Sequence, residues 1–538
     1  EGLLSMAVLK DKCLPQATHQ QIEHIHESLL FYDEHTFGAS ESVSDPLCEN
    51  SQVQWGEKSA YAWEAVKRTQ MLYETSVGLL QGDLRRGKNP TLTIFDTLNW
   101  KRSEMLTVYI DFEVIPRNQF FEITDFQGHS LKVQPIRYRR EGCYYAIFAE
   151  DIPPMGYKTF EIVFKQPSTD TGTITINNAS IENHFYKLQL NPDKGTIQSL
   201  YDKELNCELV DSSSPWELGA FIYEKLGNRD QLAQYRLDDY NRTGLSECRI
   251  IDSSNGPIYQ RILLQGKSPG TDEAFGVNLE IKLYHDTKRI ELEYAIKRLP
   301  ETDPSGIYVA FPFQLPEGKL AFDVQGGTVI SGKNQLEGTS TDWNTVQNFV
   351  SVQNNQAQII IGSSLIPLYQ LGDINLGKFQ YQKQYERPHV YSWVMNNYWN
   401  TNFKASQEGE FRWSYHLTSS VDPSNNLATK FGWSSRIPLY ARVMPTGTEN
   451  HKPTEYSAFH FEKDNFLMTS CTPSKEEGYI LLNIREIDGK RTNLRILNED
   501  GQTIPFTIVN AIEEKLENET SEHIFEGYQN KFIKIKRF

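Results

Sequence analysis

The sequence predicts a mainly β protein that opens with a helical segment. Two observations carry that expectation. Apolar residues recur at helical spacing only ahead of Pro90, and beyond it short runs rich in β-branched and aromatic residues follow one another with turn chemistry between them. At 538 residues the chain exceeds what one hydrophobic core usually holds, so several domains are expected.

From Thr18 to Leu30 the residues Ile22, Ile25 and Leu29 share a helical face. A second periodic stretch, from about Glu49 to Leu80, holds Val53, Ala60, Trp63, Val66, Leu72, Val77 and Leu80. At about 1.5 Å per residue this helix is roughly 45 Å long, which points to a partial antiparallel bundle. "QGDLRRGKNP" stops it with Gly82, Gly87 and Pro90. "TLTIFDTL", "MLTVYIDF", "YYAIFAEDI" and "KTFEIVF" then read as strands, and the polar "KQPSTDTGT" from Lys165 to Thr173 as a linker. From Ile174 to about Arg442 strand signals continue without a break, which suggests two large packed antiparallel sheets. "GYILLNIREIDGKRTNLRIL" begins a smaller terminal sandwich. "NPDKGT", Asn191 to Thr196, reads as a hairpin turn. "DVQGG" reads as a tight turn made possible by Gly326 and Gly327, with any ligand role for Asp323 secondary. The expected domains are a helical segment over 1–88, a small β-sandwich over 89–168, a large β-supersandwich over 169–450 and a C-terminal β-sandwich over 451–538.

Charge narrows the partners. Lys and Arg number 54 against 70 Asp and Glu, a net −16 with no long basic run, so nucleic acid and anionic membrane are poor partners and neutral ligands remain open. No apolar run approaches the ~20 residues that cross a bilayer. The opening "EGLLSMAVLKDKC" lacks a basic leader and a cleavage site, and its start at Glu1 suggests a fragment or processed product. Cys13, Cys48, Cys143, Cys207, Cys248 and Cys471 show no CxxC spacing and read as free thiols. Asn178, Asn241 and Asn518 sit in glycosylation sequons.

Two stretches carry candidate chemistry. In "LLFYDEHTFGASESVSDP", Leu29 to Pro46, the acids Asp33 and Glu34 stand directly before His35. There is no HxD, HExxH or HxxxH pairing to complete a zinc site, so by pattern alone His35 reads as a hydrogen-bonded helix end. In "NNYWNTNF", Asn397, Trp399 and Asn402 could form one wall of a glycan site, because rings pack on pyranose faces and amides bond their hydroxyls. The bland reading makes Trp399 and Phe403 sandwich core and the asparagines turn-formers.

"YDEHTFGASESVSDP" followed by "QWGEKSAYAWEA" resembles the histidine corner and following helix of glycoside hydrolase family 38, the α-mannosidase family. "LTIFDTLNWKRSE", "IENHFYKLQLNPDKGTIQSLYDKEL", "SWVMNNYWNTNFKASQEGEFRWSY" and "EEGYILLNIRE" resemble its later β-domain segments in the same order. The resemblance implies a galactose-mutarotase-like supersandwich and the C-terminal portion of a zinc-dependent retaining α-mannosidase. It implies that His35 is a zinc ligand, with Asp33 or Glu34 orienting it, although better-known members carry His-His-Asp where this chain has Glu34, His35 and Thr36. It also implies that the nucleophile, the acid catalyst and an HxD zinc pair belong to an N-terminal α/β catalytic domain of the same protein. No catalytic residue is then expected in this chain, which would be inactive alone. Two other classes stay open: a non-catalytic carbohydrate-binding or scaffold β-sandwich protein, and an independent mutarotase-like or lyase-type supersandwich enzyme.

Overall fold

Strand patterning dominates the computed structural model, which describes residues 1–38, 40–166, 179–399 and 402–538. The architecture is mainly β with helices at the N-terminal end, as the sequence predicts. Beyond Gln166 the expected linker, and with it the Asn178 sequon, lies outside the described residues. Among the described residues are four α-helices: α1 (Gly2–Leu9), α2 (Thr18–Asp33), α3 (Glu49–Leu80) and α4 (Asn425–Arg436). None is long and apolar enough to cross a membrane. The chain divides into two units. One holds Glu1–Phe31, Tyr61–Gly172 and Ile437–Phe538, the other Tyr32–Ala60 and Thr173–Arg436.

Periodicity missed α1 and α4 for different reasons. Helix α1 is buried from Leu3 to Leu9, and a helix apolar on every side has no polar face to mark its period. Helix α4 sits inside the strand-rich region. It begins where Leu427 donates its N–H to Ser424 Oγ at 3.3 Å, and it buries Ala428 against Phe349 and Ile360.

In the first unit, Ala65, Leu72, Val77 and Leu80 of α3 pack with Leu3, Leu4, Met6, Ile22 and Ile25. The periodic set expected for this face is therefore split. Trp63 is 71% exposed, and Val66 and Leu29 also face solvent. Trp63 lies two residues before Ala65, about 200° around the helix, so both cannot enter one core. The strand Thr91–Asp96 pairs antiparallel with Tyr440–Met444 on one side and Gly156–Lys165 on the other, and Leu92, Ile94, Phe160 and Ile162 are buried beneath. At the end of that strand Asp96 is fully buried. Its carboxylate accepts from Arg102 Nε at 3.0 Å and Nη2 at 2.7 Å, while Arg102 Nη1 donates to the Ile437 carbonyl at 2.7 Å.

In the second unit two sheets face each other, as the sequence predicts. The six-stranded one runs Tyr240–Thr243, Phe221–Leu226, Ser305–Phe311, Val390–Asn396, Leu368–Leu371, Asn344–Thr345. The nine-stranded one includes Tyr259–Lys267, Val277–Tyr284, Ile290–Arg298 and Gly409–Ser420. Ile307, Val309 and Phe311 of the first meet Ile281, Leu292, Tyr294 and Tyr415 of the second in one core. The other face of the six-stranded sheet is buried too: Ile222, Tyr308, Tyr391 and Trp393 form a smaller core with Ile374, Leu376 and Tyr398. "NPDKGT" closes a hairpin in which Asn191 pairs Thr196, and "DVQGG" turns between Val324 and Gly327. Asp323 is fully buried and accepts from Asn348 Nδ2 at 2.8 Å.

Across the outward face of the nine-stranded sheet, register sets Lys282 opposite Glu291 and Glu291 opposite His416. Burial pushes His416 down to about 3, with the Arg289 and Lys282 charges adding to it and Glu291 opposing.

Two stability predictions follow from these contacts. Arg102→Met leaves the Asp96 carboxylate buried and unpaired, and is expected to cost about 3–5 kcal/mol. A denaturant midpoint equal to that of the unchanged protein contradicts this. For His416 the folded pKa lies below the ordinary histidine value, so between the two the unfolded chain binds more protons and stability falls as pH falls. Linkage puts the loss at about 2 kcal/mol on going from neutral pH to about pH 5. His416→Gln is expected to flatten that dependence in urea melts; an unaltered slope removes His416 as its source.

Candidate functional site

Helix α2 ends at Asp33, and the next carboxylate organises the turn that follows. Glu34 Oε2 accepts the Thr36 N–H at 3.0 Å, and Lys58 Nζ from α3 donates to the Glu34 carbonyl at 2.9 Å and to Oε2 at 3.4 Å. Lys58 is buried, so its ammonium requires such partners. The Thr36 N–H, aided by His35, holds the Glu34 carboxyl below the usual carboxylate range.

His35 stands on this support. Its side chain is 92% exposed, and its Nδ1 meets Glu34 Oε1. A proton on Nδ1 shared with that carboxylate leaves Nε2 as the ring atom with a free lone pair. Asp33 is exposed, and its carboxylate makes no hydrogen bond among the described residues. Of the two acids that precede His35, the structure brings only Glu34 to it.

Three residues on, Gly38 is buried, and a Cβ there would lie 2.5 Å from Trp55 Nε1 and 3.3 Å from the Asn402 carbonyl. Only glycine lets the backbone approach the indole so closely. Trp55 is 6% exposed and its N–H has no partner among the described residues. Lys404 Nζ lies 5.2 Å from the centre of the same ring. The histidine corner and the loop that follows Asn396, two stretches far apart in sequence, meet here. Ala39, Asn400 and Thr401 lie outside the described residues.

In that loop the Asn397 amide is fully engaged with backbone. It donates to the Glu301 carbonyl at 3.0 Å and the Ala405 carbonyl at 2.9 Å, and accepts from the Ser305 N–H at 2.7 Å. Asn402 is half-buried. The core reading of Trp399 and Phe403 does not hold: they are 37% and 51% exposed. The Trp399 ring lies 5.6 Å from Trp343, 6.0 Å from Trp393 and 6.1 Å from Tyr398, centre to centre. A cavity of about 270 Å³ opens beside them, lined by Arg298, Glu301, Trp393, Asn396, Asn397 and Lys404.

Beneath the loop lies a buried network that the sequence reading missed. Glu224, fully buried, accepts from Tyr398 Oη at 2.5 Å and Tyr308 Oη at 3.4 Å on Oε1, and from Arg242 Nε at 2.5 Å on Oε2. Gln370 Nε2 donates to Tyr308 Oη at 3.3 Å. The available signal was a lone acid inside the apolar strand "FIYEKL"; its partners are set by strand register and by a residue 174 positions away.

A protein-held zinc needs three or four convergent ligands. Among the described residues no group of three or more His, Cys, Asp or Glu side chains could hold a metal ion. The residues present therefore do not fit a complete zinc shell, and His35 Nε2 can be one donor at most.

Residues 181–379 match the family model described as the glycosyl hydrolases family 38 C-terminal domain. No curated protein matches the chain. Among solved structures, an α-mannosidase from Enterococcus faecalis superposes on the whole chain with a TM-score of 0.74 at 12% identity, 65% of that protein being covered. A glycosyl hydrolase family 38 protein from Enterococcus faecalis does so with a TM-score of 0.73 at 13% identity and 68% coverage. The chain thus spans about two thirds of the length of these proteins, and at such identity they establish its fold. The family match, over residues 181–379, falls inside the fold that the chain shares with these proteins.

Proposed function

We propose that this chain is the helical and β-sandwich part of a zinc-dependent retaining α-mannosidase. In this reading it works with an α/β catalytic domain of the same protein, which supplies the nucleophile, the acid catalyst and the remaining zinc ligands. The observation that carries the reading is the His35 corner. An almost fully exposed imidazole, with Nδ1 bound to a carboxylate that is itself held by Lys58 and Thr36, is a nitrogen donor oriented toward a ligand the chain does not itself provide. A histidine serving only as a helix end has no use for that chain of supports.

The helices give separate support. Leu30 is 72%, Trp63 71% and Met71 57% exposed, and Phe31 stacks on Tyr61 at 5.4 Å between α2 and α3. Apolar surface of this kind marks an interaction face, and the catalytic domain is the partner proposed for it. Trp399 and Asn402 form one wall of the sugar site, while Asn397 shapes the loop through its backbone bonds rather than by touching sugar. Zinc, when bound, supplies charge stabilisation and a template for sugar hydroxyls. The part of His35 is to present Nε2, and the part of Glu34 is to fix its tautomer.

The purified chain is expected to show no turnover of an aryl α-mannoside, with or without added zinc; turnover that a chelator abolishes overturns this. In the intact enzyme, His35→Ala is expected to lower zinc content per chain after dialysis and to lower activity with it. Glu34→Gln should cost on the order of 10- to 100-fold in metal affinity or activity. Equal zinc content and activity in His35→Ala remove this residue from the site.

A further inference from the structure

The small core on the outer face of the six-stranded sheet carries more than Trp399. Trp343, Leu237, Ile374 and Leu376 pack in it with Trp393 and Tyr398, and the loops that hold them display a series of aromatic rings to solvent. Tyr235 and Tyr381 are each 66% exposed and Phe379 is 49% exposed. Tyr235 and Phe379 lie 6.1 Å apart, edge to face. The two loops are locked together at Gly377, where a Cβ would lie 2.8 Å from the Arg236 carbonyl carbon. Tyr381 rests on Gly338, whose N–H donates to the Tyr381 carbonyl at 2.8 Å, and Thr341 Oγ1 reaches the Gln380 carbonyl at 3.4 Å. Two residues further on, Trp343 touches Trp399.

Tyr235 adds an independent observation. Its φ is +51°, a left-handed backbone that glycine or asparagine adopts at less cost. The strain is not offset by burying the ring, since two thirds of the residue is in water. That conformation closes the short helix Arg229–Gln234, with the Tyr235 N–H donating to the Gln231 and Leu232 carbonyls, so the ring stands out from a fixed helix end.

We propose that these loops form an extended glycan platform, on which Tyr381, Phe379 and Tyr235 stack successive sugars of an α-linked mannose chain whose first sugar lies at Trp399. The proposal rests on the mannoside reading above for its sugar type. The chemistry of the surface selects a glycan over a protein. Protein interfaces centre on contiguous apolar area with few charges. Here the rings are interleaved with exposed ion pairs, Lys378 with Asp373 at 2.8 Å and Arg236 with Asp238 at 3.8 Å. Ring faces set beside charged donors and acceptors suit pyranoses, which offer an apolar face and a rim of hydroxyls.

The test is calorimetric titration of the full chain with α-linked mannopentaose, methyl α-mannoside, maltopentaose and cellopentaose. The unchanged chain and a Phe379→Ala/Tyr381→Ala variant are compared, with thermal melts as the check on folding. The pentaose is expected to bind more tightly than the monosaccharide. The variant should lose that margin, about tenfold for two rings, with methyl α-mannoside affinity unchanged. No margin for the pentaose, or a margin the variant retains, overturns the platform. Variant-sensitive binding of a glucose pentaose without binding of mannopentaose keeps the platform and overturns the mannoside reading. Absence of binding to every sugar overturns the platform.

Discussion

The carboxylate of Glu224 has no contact with water, and a buried carboxylate persists only where donors surround it. Arg242, Tyr398 and Tyr308 are those donors, and each ties a different part of the second unit. Arg242 lies opposite Glu224 across the pair Phe221–Leu226 and Tyr240–Thr243, so the charge fixes the register of an edge strand. Tyr308 belongs to the buried strand Ser305–Phe311 and passes the network on to Gln370, whose Oε1 accepts the Asn375 N–H at 2.6 Å. Tyr398 immediately precedes Trp399. Gly306 is required below it, since a Cβ there would fall 2.0 Å from Tyr398 Oη. One carboxylate thus anchors both the loop that displays Trp399 and the loop that leads to Phe379 and Tyr381.

This arrangement explains why the six-stranded sheet is buried on both faces. One face supplies the large core shared with the nine-stranded sheet, which carries most of the burial. The other supports only a thin layer of aromatic side chains and loops, too shallow to shield every ring it holds. The loops that carry these rings are tied down by the polar network, through Tyr398 on one side and Gln370 with Asn375 on the other. A network whose members are all bonded to one another gives a single arrangement, because any displaced member leaves a buried group unpaired.

The fold was legible where one face of an element meets water and the other meets the core. The strands on the nine-stranded sheet alternate cleanly, as Val277–Tyr284 does, and α2 and α3 begin and end close to where periodicity places them. Legibility failed where that contrast vanishes. Helix α1 is apolar all round, and α4 lies within strand-like sequence. Trp63, Val66 and Leu29 obey a helical period yet stay exposed, because a period records that a residue is apolar, not which surface covers it. At the site, the polar knot around His35 was visible, since acids beside a histidine at a helix end are a local pattern. Which acid serves was not, because the choice of Glu34 over Asp33 depends on Lys58, 24 residues away. Trp399 read as core by its strand-rich context, and its true position depends on Glu224, which no spacing connects to it.

The meeting of the histidine corner with the Trp399 loop is the place where the fold accepts a local cost. An indole N–H buried without a partner costs about 1–3 kcal/mol, and Trp55 carries one among the described residues. A smaller apolar residue would avoid that penalty, but it would also lose the ring face above which Lys404 sits and the surface against which Gly38 lies. Gly38 in turn admits no side chain, so the backbone from Glu34 to Gly38 has a single seat. Trp55 and Lys58 are three residues apart on α3 and therefore on the same side of that helix, one holding Gly38 and the other holding Glu34. The helix fixes the turn at both ends, and His35, which makes almost no packing contact of its own, takes its position from these two neighbours. Support is supplied to an exposed side chain from below, which is how a fold holds a side chain in one place without burying it.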